Sequence, residues 1–210
     1  MYFESGDGSE YFLGETDSEG FLDRLVVNGE TYVYSVTSVD DQGHESTASA
    51  PAAGTPRPDY HGEWVYDYFD QPDFSGFRFQ SDETTYPVVS GIDPARHFRL
   101  EVDDFGWWLV PGPGTAVHDA GPTTALKCGV AADADCIDVT TAPTSGYAIQ
   151  DMALSTQTSY VLRVQGDDGL THYGAIRVEL LGFDQDGNAL MIFDWAYQLQ
   201  AGNPDLAAGR

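Results

Sequence analysis

The sequence predicts an all-β protein, and three observations support that prediction. Short runs in which apolar and polar residues alternate recur about every ten to fifteen residues. Glycine, aspartate and proline bound these runs, whereas a helical period of apolar residues is hard to find. A hydrophobic content of 41%, with 13% aromatic residues, is enough to fill the cores of a 210-residue chain. We therefore expect antiparallel sandwich or barrel architecture.

The chain is strongly acidic, and this charge excludes some functions. It carries 34 acidic and nine basic residues, which gives a formal net charge of −25. No basic stripe is available to neutralise phosphates, so nucleic-acid binding is excluded. The same charge would repel an anionic membrane surface, but it suits a basic protein partner, divalent cations or simple solubility. The sequence contains no apolar stretch of 18 residues, so we expect no transmembrane segment.

A proline-rich segment is the best candidate for a domain boundary. Residues 51–59 contain three prolines and no apolar period, which is typical of a semi-extended linker. The predicted organisation is a small module over residues 1–50, this linker, a larger antiparallel β domain over residues 60–206 with a disulfide loop, and a tail over residues 207–210.

The small module ends in a predicted hairpin. Residues 31–39 alternate with period two, residues 40–45 have turn composition, and residues 46–50 supply a second strand. Two further short strands are predicted over residues 11–15 and 20–23.

The hairpin resembles the last two strands of the fibronectin type III family, which begin with a Gly-x-x-Tyr-x-x-x-Val pattern. Gly29, Tyr32 and Val36 match that pattern, and the resemblance covers about residues 2–50. It implies an immunoglobulin-like sandwich in which Leu25 is a buried leucine, Tyr32 is the corner tyrosine and Val36 continues the inward face. The first two or three strands of such a sandwich are missing, which would leave an apolar face and a sheet edge uncovered.

The N-terminal residues do not form an export signal. Residues 1–7 have neither a cationic start nor an apolar region, so they are not a signal peptide. We hypothesise that Met1 is not the native start, and that upstream residues supply both the missing strands and the export signal.

The larger domain contains recognisable strands and hairpins. Residues 64–69 and 76–80 have the composition of strands. Residues 98–102 and 107–111 flank an Asp/Gly turn at residues 103–106, which predicts a hairpin.

A three-stranded meander is predicted at the end of this domain. Its strands are residues 159–164, 173–181 and 190–199, separated by Asp/Gly turns. The meander resembles the end of a β domain found in uncharacterised secreted bacterial proteins, in which fibronectin-type strands precede it. It is more distantly similar to the closing strands of haem-scavenging surface lipoproteins, in which a lysine is usual where Ala175 stands here.

The two cysteines, Cys128 and Cys136, lie eight residues apart in a segment rich in glycine, alanine and aspartate. A disulfide fits this spacing best, while two free thiols remain an alternative. A metal site fits less well, because the spacing differs from Cys-x-x-Cys and the loop contains no histidine. A stable disulfide would indicate an oxidising compartment.

Cofactor and metal candidates are weak, and we expect no cofactor. The five histidines show no metal-binding spacing, although His97 and His172 could in principle ligate a haem. Asp184, Asp186 and Asn188 place oxygen atoms at alternate positions, as a calcium loop does. Alanine replaces the required glycine, however, and no bidentate glutamate follows, so a hairpin turn explains these residues better.

No catalytic apparatus is predicted. Carboxylates are too abundant to single out a glycosidase pair, and the sequence lacks a Gly-x-Ser-x-Gly elbow and a glycine-rich phosphate loop. Trp107 and Trp108 are the best candidates for contact with a partner. Since adjacent strand residues face opposite ways, one should enter the core and the other face outward.

The sequence therefore favours a non-enzymatic structural or interaction protein outside the cytoplasm, in the periplasm, on the outer surface or secreted. One specific form is an accessory subunit on the periplasmic face of a membrane complex, such as a photosynthetic or electron-transfer assembly. The alternatives are a surface lipoprotein that binds haem or carbohydrate, and an extracellular filament subunit that exchanges strands with its neighbour.

Overall fold

The computed structural model describes residues 1–4, 9–18, 20–129 and 132–207. These residues form three antiparallel sheets and one short 3-10 turn at Pro72–Phe74, which confirms the predicted all-β fold. Residues 5–8, part of the disulfide loop and most of the predicted tail lie outside the described residues. The strands are β1 Tyr2–Glu4, β2 Glu10–Phe12, β3 Tyr32–Ser35, β4 Ala52–Gly54, β5 Asp59–Tyr66, β6 Gly76–Phe77, β7 Val88–Val89, β8 Phe98–Asp103, β9 Gly106–Pro111, β10 Ala116–Pro122, β11 Met152–Ala153, β12 Thr158–Gln165, β13 Thr171–Phe183 and β14 Ala189–Gln198.

The N-terminal sheet has the strand order β2-β1-β3-β4, with every pair antiparallel. Aromatic side chains occupy one of its faces, because Phe3 lies opposite both Tyr11 and Tyr34 across the strands. The ring of Phe3 is 5.3 Å from that of Tyr32 and 6.2 Å from that of Tyr34. This sheet forms a single layer among the described residues.

The hairpin in this sheet differs from the prediction. The chain does reverse between Val39 and Glu45, which form an isolated bridge, but β3 ends at Ser35. Beyond that point the hydroxyls of Ser46 and Ser49 accept hydrogen bonds from the backbone of the first strand, so side chains replace carbonyls and the ladder becomes irregular. The regular partner of β3 is instead β4, which lies within the predicted linker.

Two side-chain placements implied by the fibronectin resemblance are wrong. Leu25 is 84% exposed, and the half-buried side chain belongs to the next residue, Val26. Val36 is also exposed rather than part of an inward face. The short strand predicted over residues 11–15 corresponds to β2, Glu10–Phe12. Residues 20–23, also predicted as a strand, do not form one.

The other two sheets have five strands each and pack face to face. Their orders are β10-β12-β13-β14-β5 and β11-β9-β8-β6-β7. The core between them is built from the inward residues of both sheets and is rich in aromatic rings. Phe77 lies at its centre, with its ring 5.1 Å from the rings of both Phe98 and Phe193. The predicted hairpin and meander are confirmed as β8–β9 and β12–β13–β14.

The sheet that contains the meander is buried on both faces. A second, smaller core covers its outer face and includes Val161, Ala175 and Ala196 from the three meander strands. Leu126 and Leu206 close this core from the loop after β10 and from the segment after β14. This covering explains why β12 and β14 are apolar on both sides rather than strictly alternating.

The proline-rich segment is more ordered than its composition predicts. Its first part forms β4, and Arg57 and Pro58 are buried before β5 begins. Gly29 donates a backbone hydrogen bond to the carbonyl of Pro56, and the Gln200 side-chain amide donates to the carbonyl of Gly29. The N-terminal sheet is thus tied to the sandwich, while the division into two domains remains a prediction.

Gly174, the fourth residue of β13, provides a test of this packing. A Cβ at Gly174 would lie 2.4 to 2.8 Å from three atoms of the Phe79 ring, which the surrounding core holds in place. We expect Gly174→Ala to lower the free energy of unfolding by about 1 to 3 kcal/mol, because the core would be overpacked. Chemical denaturation measures this change.

Gly182→Ala, in the same strand, is the matched control. There an added Cβ meets the exposed and flexible end of Leu180, so we expect a change within about 0.5 kcal/mol. Equal losses for the two variants would contradict the proposed role of Phe79.

Candidate functional site

A polar cleft lies at the end of the sandwich where loops of the two sheets meet. Its volume is about 230 Å³. Arg78 follows β6 and His97 precedes β8, whereas Gln165 ends β12 and Asp167 lies in the turn before β13. Gly114, in the turn between β9 and β10, also lines the cleft. Residues far apart in sequence therefore converge because hairpin ends from both sheets meet here.

His97 is the most deeply buried polar group of the cleft, with 6% of the residue exposed. Its Nδ1 accepts a hydrogen bond from the backbone N–H of Phe79 at 3.0 Å. A ring that accepts at Nδ1 carries its proton at Nε2 when neutral. Burial, and secondarily the positive charge of Arg78, lower the pKa of His97 to about 4. His97 is therefore a neutral hydrogen-bond donor at neutral pH.

His172 lies behind the cleft with both ring nitrogens engaged. Its Nδ1 donates to the carbonyl of Gln198 at 3.1 Å, and its Nε2 lies 3.1 Å from the carboxylate of Asp168. Tyr197 packs between the two histidines, with its ring 5.7 Å from His172 and 6.3 Å from His97. Burial raises the pKa of the Tyr197 phenol to about 12, so this ring is neutral as well.

The structure thus brings together the two histidines considered for haem, but they do not fit that group. An iron-ligating histidine binds through one nitrogen and donates a hydrogen bond through the other. His97 accepts at Nδ1, and the Nε2 of His172 faces a carboxylate. A cleft of about 230 Å³ is also smaller than ordinary cofactor pockets, which exceed about 300 Å³.

The rest of the cleft combines a cation, a carboxylate and an amide. Arg78 forms an ion pair with Asp167, whose side chain is 87% exposed. Gly114 has a positive φ of 72°, and an added Cβ there would lie 3.2 Å from the Gln165 side chain. The positive φ of this turn favours glycine at residue 114.

The turn considered for calcium is stabilised by its own hydrogen bonds. One oxygen of Asp184 accepts from the backbone N–H groups of Asp186 and Asn188, each at 2.9 Å. The other oxygen accepts from the side-chain amide of Asn188. The Asn188 hydrogen bonds lower the pKa of Asp184 most strongly. Within the described residues, no group of three His, Cys, Asp or Glu side chains is placed to hold a metal ion.

The two tryptophans of β9 face opposite sides of their sheet. Trp107 packs against the core and lies 5.7 Å from the ring of Phe183. Trp108 points the other way, and its indole N–H donates to Asp103 at 2.9 Å. Phe105 and Phe183 are both exposed at the hairpin end of the sandwich. The contact role of Trp107 and Trp108 remains a prediction.

Cys128 and Cys136 are joined in a disulfide, with their Cα atoms 5.9 Å apart. The backbone N–H of Cys128 also donates to the carboxylate of Asp138 at 2.7 Å. The loop they close belongs to the long connection that covers the outer face of the meander sheet.

Comparisons with protein-family models, with curated proteins and with solved structures find no match to this chain. Within the described residues, no helix has both the length and the apolar character needed to cross a bilayer.

The buried histidine predicts a specific dependence of stability on pH. The unfolded chain binds a proton at His97 near pH 6.5, whereas the folded protein does so only near pH 4. The unfolded state therefore binds more protons in this window. The contribution of neutral His97 to the free energy of unfolding is complete above about pH 6.5 and is lost as the pH falls towards 4. Between pH 7 and pH 5 we expect a loss of about 2 kcal/mol from this residue.

Denaturation of the wild-type protein and of His97→Gln at both pH values measures this contribution. The glutamine can still accept the Phe79 N–H, but it does not titrate, and the remaining histidines and carboxylates are common to both proteins. Identical pH dependences in the two proteins would show that His97 does not titrate as described.

Proposed function

We propose that the chain is a non-enzymatic structural or interaction protein that works outside the cytoplasm and docks a protein partner on its N-terminal sheet. One observation carries this proposal. The sheet is a single layer of short strands, and it exposes large apolar side chains that a folded protein normally covers. On the sheet itself they are Tyr11 and Phe12, and the segments beside its strands expose Leu22, Leu25, Val27, Val36 and Val39.

The aromatic rings on one face of this sheet form a connected surface rather than scattered contacts. Phe3 contacts Tyr11, Tyr32 and Tyr34 on one face. On the other face Tyr2 lies 5.5 Å from Phe12. A connected aromatic surface can bury a large area against a partner with little loss of side-chain entropy, which is why such residues dominate binding sites.

The finer proposal is that this sheet is half of a fibronectin type III module. The antiparallel order β2-β1-β3-β4 is compatible with one sheet of such a module, with β4 from the predicted linker in the place expected for residues 46–50. The Tyr32 hydroxyl accepts a hydrogen bond from the backbone of Val27 at 2.9 Å, as a corner tyrosine does with upstream backbone. A partner that supplies a second β layer would complete the sandwich.

The compartment is proposed from the disulfide and the charge. Structural disulfides persist in oxidising compartments, which supports a periplasmic, surface or secreted location. The net charge of −25 favours a partner with basic surfaces. One specific form of the proposal is an accessory subunit on the periplasmic face of a membrane complex, such as a photosynthetic or electron-transfer assembly.

A second candidate function is a filament subunit that exchanges strands. It is supported by the outer edges of β2 and β4, which pair with no other strand among the described residues. An unpaired edge beside an uncovered apolar face can accept a strand from a neighbouring copy.

Site-specific photo-cross-linking in native cells tests the docking surface. A photoreactive phenylalanine analogue at Tyr11, which lies on the same face as Phe3, should cross-link to a partner protein. The same analogue at Ile149, which lies outside the N-terminal sheet and is even more exposed, is the control and should not cross-link. Cross-links to a second copy of this chain would instead favour the filament. Failure at Tyr11, or equal cross-linking at Ile149, would contradict docking on this face of the sheet.

A further inference from the structure

We propose that the cleft between Arg78, His97, Gln165 and Asp167 binds a neutral polyhydroxylated compound, such as a single sugar ring. This site lies in the sandwich, away from the aromatic face of the N-terminal sheet, and its ligand is independent of the protein partner proposed above.

The first argument is an oriented donor without an acceptor. The proton of neutral His97 lies at Nε2, because Nδ1 is occupied by the Phe79 N–H. Nε2 has no hydrogen-bond acceptor among the described residues. It is also not fully buried, so a ligand can reach it. Since His97 lines the cleft, this N–H opens into it. A buried ring held by a backbone contact presents its donor with little entropic cost on binding.

The second argument is the mixture of donors and acceptors. The guanidinium of Arg78 supplies donors only, the carboxylate of Asp167 supplies acceptors only, and the amide of Gln165 supplies both. A hydroxyl group both donates and accepts, so a ligand with several adjacent hydroxyls can match all of these groups. A ligand with acceptors alone would leave Asp167 unmatched.

The third argument is charge. Arg78 and Asp167 neutralise each other, and Asp168 follows in the same turn. The protein as a whole carries a net charge of −25, so its field repels anions. These charges disfavour a phosphate or a carboxylate ligand and leave a neutral polar compound as the best match.

The fourth argument is size and shape. A volume of about 230 Å³ is below the range for drug-sized ligands and suits one small ring. Pro94, Ala95 and Pro113 provide small apolar walls that can face the C–H groups of such a ring. The adjoining turn is tightly held, because a Cβ at Gly112 would lie 2.0 Å from the carbonyl oxygen of Arg96. This close approach holds together two of the loops that line the cleft.

Nuclear magnetic resonance titration of the full chain tests the proposal. The probes are D-glucose, D-galactose, D-mannose, L-rhamnose and N-acetylglucosamine, with sodium acetate as an anionic probe. We expect at least one sugar to shift the amide signals of Gly114 and Gly166 saturably, with a dissociation constant of about 1 to 10 mM. Acetate should leave them unchanged.

Two variants connect the binding to the proposed groups. Asp167→Ala and Gln165→Ala should each weaken binding about tenfold or more, since each removes a hydrogen-bonding side chain from the cleft. Asp186→Ala is the matched control, because it removes an exposed carboxylate from the turn between β13 and β14, and it should bind as the wild type does. Far-ultraviolet circular dichroism and melting curves establish that each variant is folded.

Three results would overturn the proposal. They are the absence of a saturable shift with every sugar, a shift with acetate as large as that with any sugar, and binding that survives both cleft variants. None of these results bears on docking at the N-terminal sheet, which the cross-linking experiment tests separately.

Discussion

The packing of Phe79 against Gly174 is the contact on which the sandwich and its cleft both depend. The ring of Phe79 stacks on Tyr197 with centroids 5.1 Å apart and planes only 5° from parallel. The Phe79 ring reaches that position because Gly174, which pairs with Tyr197 across β13 and β14, has no side chain to obstruct it. The backbone N–H of Phe79 donates to Nδ1 of His97, which places the ring proton of that histidine on Nε2. One packing contact therefore determines both a core and the orientation of a polar donor.

The three meander strands contribute side chains to two separate cores, one on each face of their sheet. Their inner face meets the opposite sheet through large rings such as Phe193 and Trp195. Their outer face meets irregular segments, and there the strands carry smaller side chains such as Ala175 and Ala196. Small residues allow the covering loop to lie close to the sheet, so the loop acts as a third layer. Burial on both faces is the reason that simple alternation of apolar and polar residues is lost here.

The parts of the fold that could be predicted from the sequence are those with strong local signals. Asp/Gly turns flanked by apolar runs identified β8–β9 and the meander, because turn chemistry and strand period act within a few residues. β4 was missed because its alanines and glycine lie in a proline-rich segment whose composition favours a linker. Leu25 was misplaced because the segment before β3 is not a strand, so strand alternation does not determine which of its side chains face inward.

The cleft could not be predicted, for a different physical reason. Its groups come from four separate loops, and no local pattern relates the residue before β8 to the turn before β13. His97 and His172 were paired as a haem candidate, and they do lie near each other around Tyr197. The chemistry of their rings is nevertheless set by a backbone N–H, a carbonyl and a carboxylate that the sequence does not show to be nearby.

The position of β5 at the sheet edge has a consequence for how the chain is made. Its partner is β14, more than 120 residues later, so β5 has no strand to pair with until nearly the whole domain has left the ribosome. Strand pairs this distant in sequence close slowly, because the entropy of a long loop is lost first. During that interval Val65, which is later fully buried, stays accessible on the nascent chain. A chaperone that shields early-emerging strands would therefore raise the yield of this protein more than one that acts on finished chains.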